Sequence, residues 1–376
     1  MINDKFEMIK SYKKAYKNYF RVLYMLYIKR KESYRNNEIK IKVVLRDGRT
    51  ITVPYGFITT YARLKTYKNQ NISSLNLTNE GVSFQYKDHP VIIDPGRFSY
   101  PEEVFLREEY NFLNVTNCDV VDVGMNIGDS AIYFTLNGAR KVIGLEPYPY
   151  AFSYAEKNVK LNDIKNIITL NAGYGKDSII LIDNNKISLN TSSLISSNNG
   201  GKEILIYSLK TLLNKYEIEN AVLKMDCEGC EYNLLDEDEE VLRRFRMIQV
   251  EYHYGYQKLK EKWEKCGLTV KCTEPVNYYN AEASNPNMVV GYIYAEIKQQ
   301  PWRISSNGIK DDSYLEYVNL EEFREWLLAL KPKDVKDKEI SERGLRNFKL
   351  KIRNGKGLKN RSKIAKMLFE LYKSKN

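Results

Sequence analysis

Apolar and polar residues change their spacing along this 376-residue chain, and the first hundred residues combine two patterns. Over residues 3–31, aromatic and apolar residues recur at helical intervals with lysines between them, which predicts an amphipathic basic helix. Two alternating stretches around Asp47-Gly48 predict a β-hairpin, because Asp-Gly is a strong short hairpin signal. A second pair of short strands follows. Residues 1–99 are therefore predicted to be a helical and β-rich region, with core packing favoured for the helix over attachment to a membrane surface.

From residue 100 the pattern becomes an alternation of short β-branched stretches and helical stretches. Pro101 and the acids after it predict a helix start. The alternation continues to about residue 300, which indicates a parallel sheet covered by helices. Residues 188–201 are rich in Ser, Asn and Gly, and a surface loop is favoured there over a substrate lid. After Trp302 the chain is polar and charged, so residues 301–376 are predicted to be a basic helical extension.

The stretch DVVDVGMNIGDS at residues 119–130 predicts a strand, a tight turn and a helix. Gly124 and Gly128 lie where a backbone must turn sharply or approach a ligand closely. Glu146 ends the next predicted strand, 22 residues after Gly124. That is close to the ~20 residues expected for an acid that accepts hydrogen bonds from both ribose hydroxyls of an adenosine ligand.

Charge distinguishes between the adenosine ligands. A dinucleotide site needs glycines where this chain has Asn126 and Asp129, and a carboxylate would repel a pyrophosphate. NAD is therefore disfavoured. S-adenosylmethionine carries a sulfonium and an ammonium group, which suit a pocket containing Asp122, Asp129 and Glu146.

Five runs of the sequence resemble the FkbM family of S-adenosylmethionine-dependent methyltransferases over residues 100–297: VVDVGMNIGDSAIYF, GLEPYP, NVKLN, LKMDCEGCEYNLL and IQVEYH. The resemblance implies an α/β fold with a Rossmann-like, seven-stranded class I methyltransferase sheet, flanked by the N-terminal helix and β-hairpin and by C-terminal helices. It also implies S-adenosylmethionine as cofactor. Met125, Cys227 and Cys230 depart from the family pattern, and we interpret them as packing changes. The predicted cofactor-binding residues are Asp122, Gly124, Asn126, Gly128, Asp129, Glu146, Asn171, Ala172 and Asp226.

Methyl transfer to a hydroxyl requires alignment of the acceptor and removal of its proton. Ligands of open α/β sheets lie beyond the carboxyl ends of the strands, where LKMD ends in Asp226 and IQVEYH ends near Glu251 and His253. These three residues are the predicted catalytic groups, although His253 could equally cap its strand. Glu228 and Glu231, on the turn after Asp226, are predicted to bind the acceptor.

Two metal hypotheses compete with this prediction. The acids and His253 could hold a divalent cation that acidifies a hydroxyl, and we rank this second to metal-free catalysis. Cys227 and Cys230 form a C-x-x-C pair, a spacing found in zinc and redox sites. Because no suitably spaced partner pair and no thioredoxin-like context accompany it, packing is favoured.

The net charge of +11 is concentrated in residues 331–376, which hold 16 Lys and Arg against 5 Asp and Glu. A basic C-terminal segment following a chain with no net charge favours an acidic partner, either RNA or an anionic membrane surface. The cysteine content and the absence of a signal-like start predict a cytoplasmic protein without a transmembrane segment, with a peripheral position at a membrane surface as the alternative. O-methylation of a sugar, glycan or small metabolite is the favoured function. RNA methylation is the alternative, although the chain lacks an N-P-P-Y motif.

Overall fold

A computed structural model of the protein describes residues 2–33, 39–66, 71–96, 101–182, 201–277, 288–297 and 329–330. The chain divides into two units, Met1–Ile297 and Lys298–Asn376. The predicted boundary after residue 99 falls inside the first unit, and the one after residue 300 lies close to the start of the second. The basic residues after 331 and all but the last residue of the loop 188–201 lie outside the described residues.

Helices and strands alternate through most of the first unit. The described helices are α1 (Ile2–Ala15), α2 (Tyr19–Ser33), α3 (Tyr55–Thr66), α4 (Pro101–Phe105), α5 (Asp129–Leu136), α6 (Pro149–Leu161), α7 (Leu209–Lys215), α8 (Glu239–Leu242) and α9 (Gln257–Lys265), with a 3₁₀ helix at Cys230–Leu235. The strands are β1 (Lys40–Val44), β2 (Thr50–Pro54), β3 (Ile72–Leu77), β4 (Val82–Tyr86), β5 (His89–Ile93), β6 (Asp119–Val123), β7 (Lys141–Leu145), β8 (Ile167–Leu170), β9 (Ala172–Tyr174), β10 (Ser178–Ile182), β11 (Lys202–Tyr207), β12 (Ala221–Met225), β13 (Phe245–Tyr252), β14 (Leu268–Cys272), β15 (Val276–Asn277) and β16 (Val289–Ile297).

The N-terminal region contains two helices where the periodicity predicts one. The break falls at Tyr16, whose fully buried ring places its hydroxyl 2.8 Å from the Ile58 carbonyl oxygen, to which it donates. This long-range bond to α3 cannot be read from local periodicity. The predicted hairpin is confirmed as β1–β2, with Gly48 at a φ of +98° and Asp47 Oδ1 accepting from the Arg49 amide at 2.9 Å.

The central sheet has its seven main strands in the order β8-β7-β6-β12-β13-β16-β14, with β15 paired to β16. Strands β8, β7, β6, β12 and β13 run parallel, whereas β16 is antiparallel to both of its long neighbours. This confirms the predicted seven-stranded Rossmann-like sheet. Strands β6 and β12 are buried along their whole length, as expected for parallel strands covered on both faces.

Two apolar clusters cover the two faces of this sheet. Val120 belongs to the cluster that includes the N-terminal helices and α5, whereas Val121 belongs to the cluster that includes α7 and α9. Successive side chains of a strand point to opposite faces, so this alternation is the expected one. Residues of the predicted N-terminal region therefore share a core with the sheet. Within the described residues, no helix is long and apolar enough to cross a membrane.

The order of strands reverses its direction between β6 and β12. Strands β7 and β8 extend the sheet on one side of β6, and β13 extends it on the other side of β12. In open α/β sheets, such a switch point opens a crevice beyond the carboxyl ends of the strands. The turn after β6 and the turn after β12 thus meet at one edge, which is where the predicted site residues lie.

Candidate cofactor and acceptor site

The glycine loop, residues 124–128, has a backbone that only glycines allow at two positions. Gly124 has a φ of +74°, and an added Cβ would lie 1.8 Å from the carbonyl oxygen of Asp226. Gly128 has a φ of +81° and lies against Ala155 of α6, where a Cβ would come within 3.2 Å. Asn126, between them, also adopts a positive φ of 48°. The loop therefore passes directly over the end of β12.

Met125 is accommodated by a glycine on the neighbouring strand. Its side chain is fully buried, and its sulfur occupies the space beside Gly144, where a Cβ would lie 2.3 Å from Sδ. Because Gly144 of β7 has no side chain, there is room for the large side chain of Met125 in the loop. This agrees with our interpretation of Met125 as a packing change.

A buried ion pair supports the glycine loop from inside the protein. Asp122 Oδ1 lies 3.0 Å from Lys224 Nζ, and both side chains are buried. Lys224 also donates to the Gly124 carbonyl oxygen at 2.7 Å, while Asp122 Oδ2 accepts from the Ser130 hydroxyl at 2.6 Å. Asp122, predicted to bind the cofactor, thus contacts the start of α5 directly and is linked to the glycine loop through Lys224.

Lys224 is a site residue that the sequence reasoning missed. Burial lowers the pKa of this lysine, but Asp122, Asp226 and Asp129 outweigh burial and raise the pKa above its ordinary value. The sequence feature that could have identified it is a lysine inside the otherwise apolar strand AVLKM. A buried lysine needs an acidic partner, so its presence there indicates a nearby acid. Only strand pairing identifies that partner, since Lys224 is the register neighbour of Asp122.

Glu146 lies at the end of β7 and joins the glycine loop to the following turn. Its carboxyl oxygens accept from the backbone amides of Asn126 at 3.0 Å and Tyr148 at 2.9 Å. Burial nevertheless raises the pKa of Glu146 to about 7. Asn171 donates from its side-chain amide to the Glu146 carbonyl oxygen at 2.9 Å, and buried Ala172 follows it. Each carboxyl oxygen keeps a lone pair that could accept from a ribose hydroxyl.

Asp129 is the first residue of α5 and is nearly fully buried. Its Oδ1 accepts from the Ser130 amide at 3.1 Å, and burial raises the pKa of Asp129 to about 7. The predicted cofactor-binding residues thus lie at or just after the carboxyl ends of four strands, β6, β7, β8 and β12.

Asp226, Glu251 and His253 form the acidic cluster that the strand ends predict. One side-chain oxygen or nitrogen of each lies within 4.8 Å of the others. Burial, followed by the negative charge of Asp226, raises the pKa of Glu251 to about 10. Glu251 therefore holds a proton at neutral pH and hydrogen-bonds to Asp226.

His253 is held by acids on both ring nitrogens. Its Nδ1 lies 3.1 Å from Glu231 Oε1, which also accepts from the His253 backbone amide at 2.9 Å, and its Nε2 lies 3.4 Å from Glu228 Oε2. Burial lowers the pKa of His253, but Glu231 and Glu228 outweigh it and raise the pKa to about 9. The imidazolium form is therefore favoured at neutral pH.

Glu228 and Glu231, both predicted to contact the acceptor, differ in exposure. The Glu228 side chain is 40% exposed, whereas Glu231 is fully buried and also accepts from the Gly229 amide at 2.7 Å. Glu231 is thus a positioning residue for His253 and for the turn. Glu228 remains accessible to solvent.

Glu109, which lies before β6, is a further acid that the sequence reasoning missed. Burial, followed by the charges of Glu103 and Asp226, raises the pKa of Glu109 to about 7. The Gln249 side-chain amide donates to the Glu109 carbonyl oxygen at 2.9 Å, which ties this segment to β13. No local motif marks Glu109, because its proximity to the site depends on tertiary packing.

Cys227 and Cys230 form a disulfide, so the prediction that they only pack is wrong. The bond closes the turn between β12 and the 3₁₀ helix, within which Glu228 and Gly229 both have positive φ angles. The C-x-x-C spacing was the feature of the sequence that indicated a disulfide. The tight turn between the two cysteines brings their sulfurs together. The disulfide holds the turn that carries Glu228 toward His253.

We expect thiol titration of the denatured, unreduced protein to detect three cysteines, namely Cys118, Cys266 and Cys272. The double variant Cys227→Ser/Cys230→Ser should unfold with a free energy lower by about 2 kcal/mol, because a four-residue loop loses its crosslink. Cys272→Ser is the control, since it removes a thiol without touching the disulfide. Five reactive thiols without reductant would contradict the crosslink.

Together, the sheet with its reversed strand, the glycine loop over β12 and the acid at the end of β7 define a class I S-adenosylmethionine-dependent methyltransferase. Residues 122–331, more than half of the chain, match the family model described as the methyltransferase FkbM domain. The protein belongs to this family, which confirms the resemblance found in the sequence.

Individual relatives are more distant. A protein of Methanocaldococcus jannaschii with the provisional name protein N5-glutamine methyltransferase is 29% identical over 152 residues, covering 36% of this chain and 73% of the relative. Trm5b from Pyrococcus abyssi shares 14% identity, with 66% of this chain and 72% of that chain covered and a TM-score of 0.33. TYW2 from M. jannaschii, solved in complex with AdoMet, shares 16% identity, with 61% and 87% covered and a TM-score of 0.33. The fold assignment rests on the strand order described above.

Proposed function

We propose that this methyltransferase methylates a hydroxyl group of a sugar, glycan or small metabolite, with Asp226 accepting the proton. The observation that carries the proposal is the cluster of Asp226, Glu251 and His253 at the carboxyl ends of β12 and β13. A hydroxyl becomes an effective nucleophile toward the sulfonium methyl only as its proton leaves, so a positioned proton acceptor accelerates the transfer.

The protonation states of the cluster favour Asp226 as that acceptor. Glu251, with a pKa of about 10, and His253, with a pKa of about 9, both carry a proton at neutral pH. A protonated group cannot accept the hydroxyl proton, so of the three residues we assign this role to Asp226. His253 lies close to Asp226, and Glu251 orients Asp226 by a hydrogen bond.

The glycine loop and Glu146 fit S-adenosylmethionine better than a phosphate-bearing cofactor. Asp129 and Glu146 are both buried beside the loop, where a pyrophosphate would meet two carboxyl groups. The sulfonium and ammonium of S-adenosylmethionine would instead be attracted to Asp129 and Asp226. The adenosine ribose is proposed to lie against Glu146.

Two other acceptors are tested by the same assay. The M. jannaschii relative is named for a glutamine amide, but this chain has Asp226-Cys227-Glu228 after β12 and no N-P-P-Y motif. The excess positive charge of residues 331–376 favours RNA as the alternative acceptor or as a bound polyanion. Polyanion binding by that segment should weaken steeply as salt rises.

The acceptor assay offers labelled methyl donor with panels of sugars and glycans, a glutamine peptide and RNA. Label on a carbohydrate hydroxyl supports the proposal, whereas transfer only to the peptide or only to RNA overturns it. A divalent cation could also bind Asp226, Glu251 and His253, so each reaction is repeated with EDTA. If EDTA abolishes activity and a divalent ion restores it, the hydroxyl is activated by a bound metal ion, and the proposed role of Asp226 as proton acceptor is wrong.

Replacement of Glu146 should weaken cofactor binding. We expect Glu146→Ala to cost about 1.5 to 3 kcal/mol, because the ribose loses a carboxyl group that accepts its hydrogen bonds. This corresponds to roughly a 10- to 150-fold rise in the Kd for S-adenosylmethionine, measured by calorimetry. Glu156→Ala, an exposed acid on α6, is the matched control. An unchanged Kd in Glu146→Ala would refute the ribose assignment, and the melting temperature reports any loosening of the loop.

A further inference from the structure

Helix α2 exposes one continuous apolar face while its other face packs into the protein. Val22 is fully buried and Leu26 nearly so, and both belong to the core shared with the sheet. The opposite face, called here the aromatic stripe, spans an arc of about 100° at 100° per residue. The aromatic stripe consists of Phe20 (72% exposed), Tyr24 (63%), Tyr27 (83%) and Ile28 (49%).

The surroundings of the aromatic stripe are basic. Residues 8–31 contain eight Lys and Arg and no Asp or Glu. Arg21 is exposed on the same helix, Lys17 is exposed just before it, and β1, which contacts α2, adds exposed Lys40 and Lys42. A surface of this kind attracts an anionic partner with an apolar layer beneath its charges.

We propose that the aromatic stripe is a docking surface for an anionic phospholipid bilayer. Tyrosine suits the boundary between headgroups and acyl chains, because its ring is apolar and its hydroxyl is polar. Phe20 and Ile28 would enter the apolar layer, and the surrounding lysines and arginine would meet the phosphates. Because α2 is anchored along its buried face, the stripe can lie flat on a membrane while the helix keeps its place in the fold.

Charge and shape disfavour the other occupants. A second copy of this chain, docked through the same face by two-fold symmetry, would bring two basic surfaces together. Single-stranded RNA uses aromatic rings as separate stacking platforms in a basic groove. The aromatic stripe is instead a convex strip along one helix and includes an aliphatic residue that cannot stack. The bilayer is the partner that uses every part of it.

The proposal does not rest on the proposed methyl acceptor, and its test needs no turnover. The full-length protein is sedimented with vesicles of phosphatidylcholine alone and of phosphatidylcholine with phosphatidylglycerol. The stripe variant is Phe20→Gln/Tyr24→Gln/Tyr27→Gln, which keeps the charge and the helix propensity of α2. The control is Ile179→Thr/Val276→Thr, which changes apolar residues that are 60% and 66% exposed elsewhere in the fold.

We expect wild type and control to bind the anionic vesicles and the stripe variant to lose about tenfold or more of its partition coefficient. Melting temperature and affinity for S-adenosylmethionine should remain unchanged in the stripe variant, which shows that the loss is not unfolding. Equal partitioning of wild type and stripe variant would overturn the proposal and assign any binding to other basic residues.

Two further measurements separate the competing partners. Binding of a single-stranded RNA oligonucleotide is followed by fluorescence anisotropy, and self-association by sedimentation velocity. If the stripe variant loses RNA binding or dimer formation while vesicle binding is unaffected, the stripe belongs to that other partner and the proposal fails. The bilayer proposal is supported if the stripe variant loses vesicle binding while its RNA binding and association state match those of the wild type.

Discussion

Asp226→Asn should lower kcat by about 10² to 10⁴, the usual contribution of a positioned general base. The substitution keeps the size and shape of the side chain, so the turn after β12 and the approach of Gly124 to its carbonyl oxygen are retained. Affinity for S-adenosylmethionine should change far less than kcat, because several other residues are predicted to bind the cofactor. Single-turnover methyl transfer and calorimetry measure the two quantities separately.

Asp163→Asn is a matched control for this substitution. Asp163 is exposed and has a φ of +51°, a conformation that asparagine tolerates well, and it lies on the turn after α6. Full activity in Asp226→Asn with lost activity in Glu251→Gln or His253→Gln would contradict the role of Asp226. A large rise in the cofactor Kd at constant kcat would instead make Asp226 a cofactor-binding residue.

Lys224→Met should lower the free energy of unfolding by about 3 to 5 kcal/mol, because it leaves Asp122 buried without its partner. Both side chains are almost completely inaccessible to water, so solvent cannot replace the lost ammonium. The variant also loses the hydrogen bond from Lys224 to the Gly124 carbonyl oxygen, which should weaken cofactor binding. Urea unfolding followed by circular dichroism measures the loss of stability.

A double-mutant cycle tests the cause of that loss. Lys224→Met in the background of Asp122→Asn should cost much less than in the wild type, since the amide needs no counter-charge. Asp122→Asn keeps an oxygen that can accept from the Ser130 hydroxyl. Equal costs of Lys224→Met in both backgrounds would show that packing, not the ion pair, accounts for the stability.

The site residues that follow strands could be predicted because strand ends are marked locally. Gly124, Glu146 and Asp226 each come directly after an apolar run, and parallel strands bring their carboxyl ends to one edge. The disulfide between Cys227 and Cys230 was open to prediction from spacing. It was missed because the conformation of the turn between them depends on positive φ angles that C-x-x-C alone does not imply.

Other features of the site have no local signature. Glu109 approaches Asp226 from a segment more than a hundred residues earlier, and Lys224 pairs with Asp122 on the adjacent strand. The raised pKa values of Glu251 and His253 arise from burial and from acids on different elements. Such properties depend on which side chains lie together in the folded protein and how much water they exclude.

By itself, the sequence determined the class of fold, the order of its main elements and the positions of the acids at strand ends, because periodicity and turn residues act over short stretches. At residues 3–31, the sequence favoured a helix that packs in the core but did not exclude one that lies on a membrane surface. Both kinds of helix place apolar residues at helical spacing. Only the tertiary structure decided that Val22 faces the core while Phe20 and Tyr27 face outward. It also decided that burial and neighbouring acids raise the pKa of Glu251, and that neighbouring acids raise the pKa of His253. The physical reason is that burial and electrostatic coupling are set by contacts between distant parts of the chain.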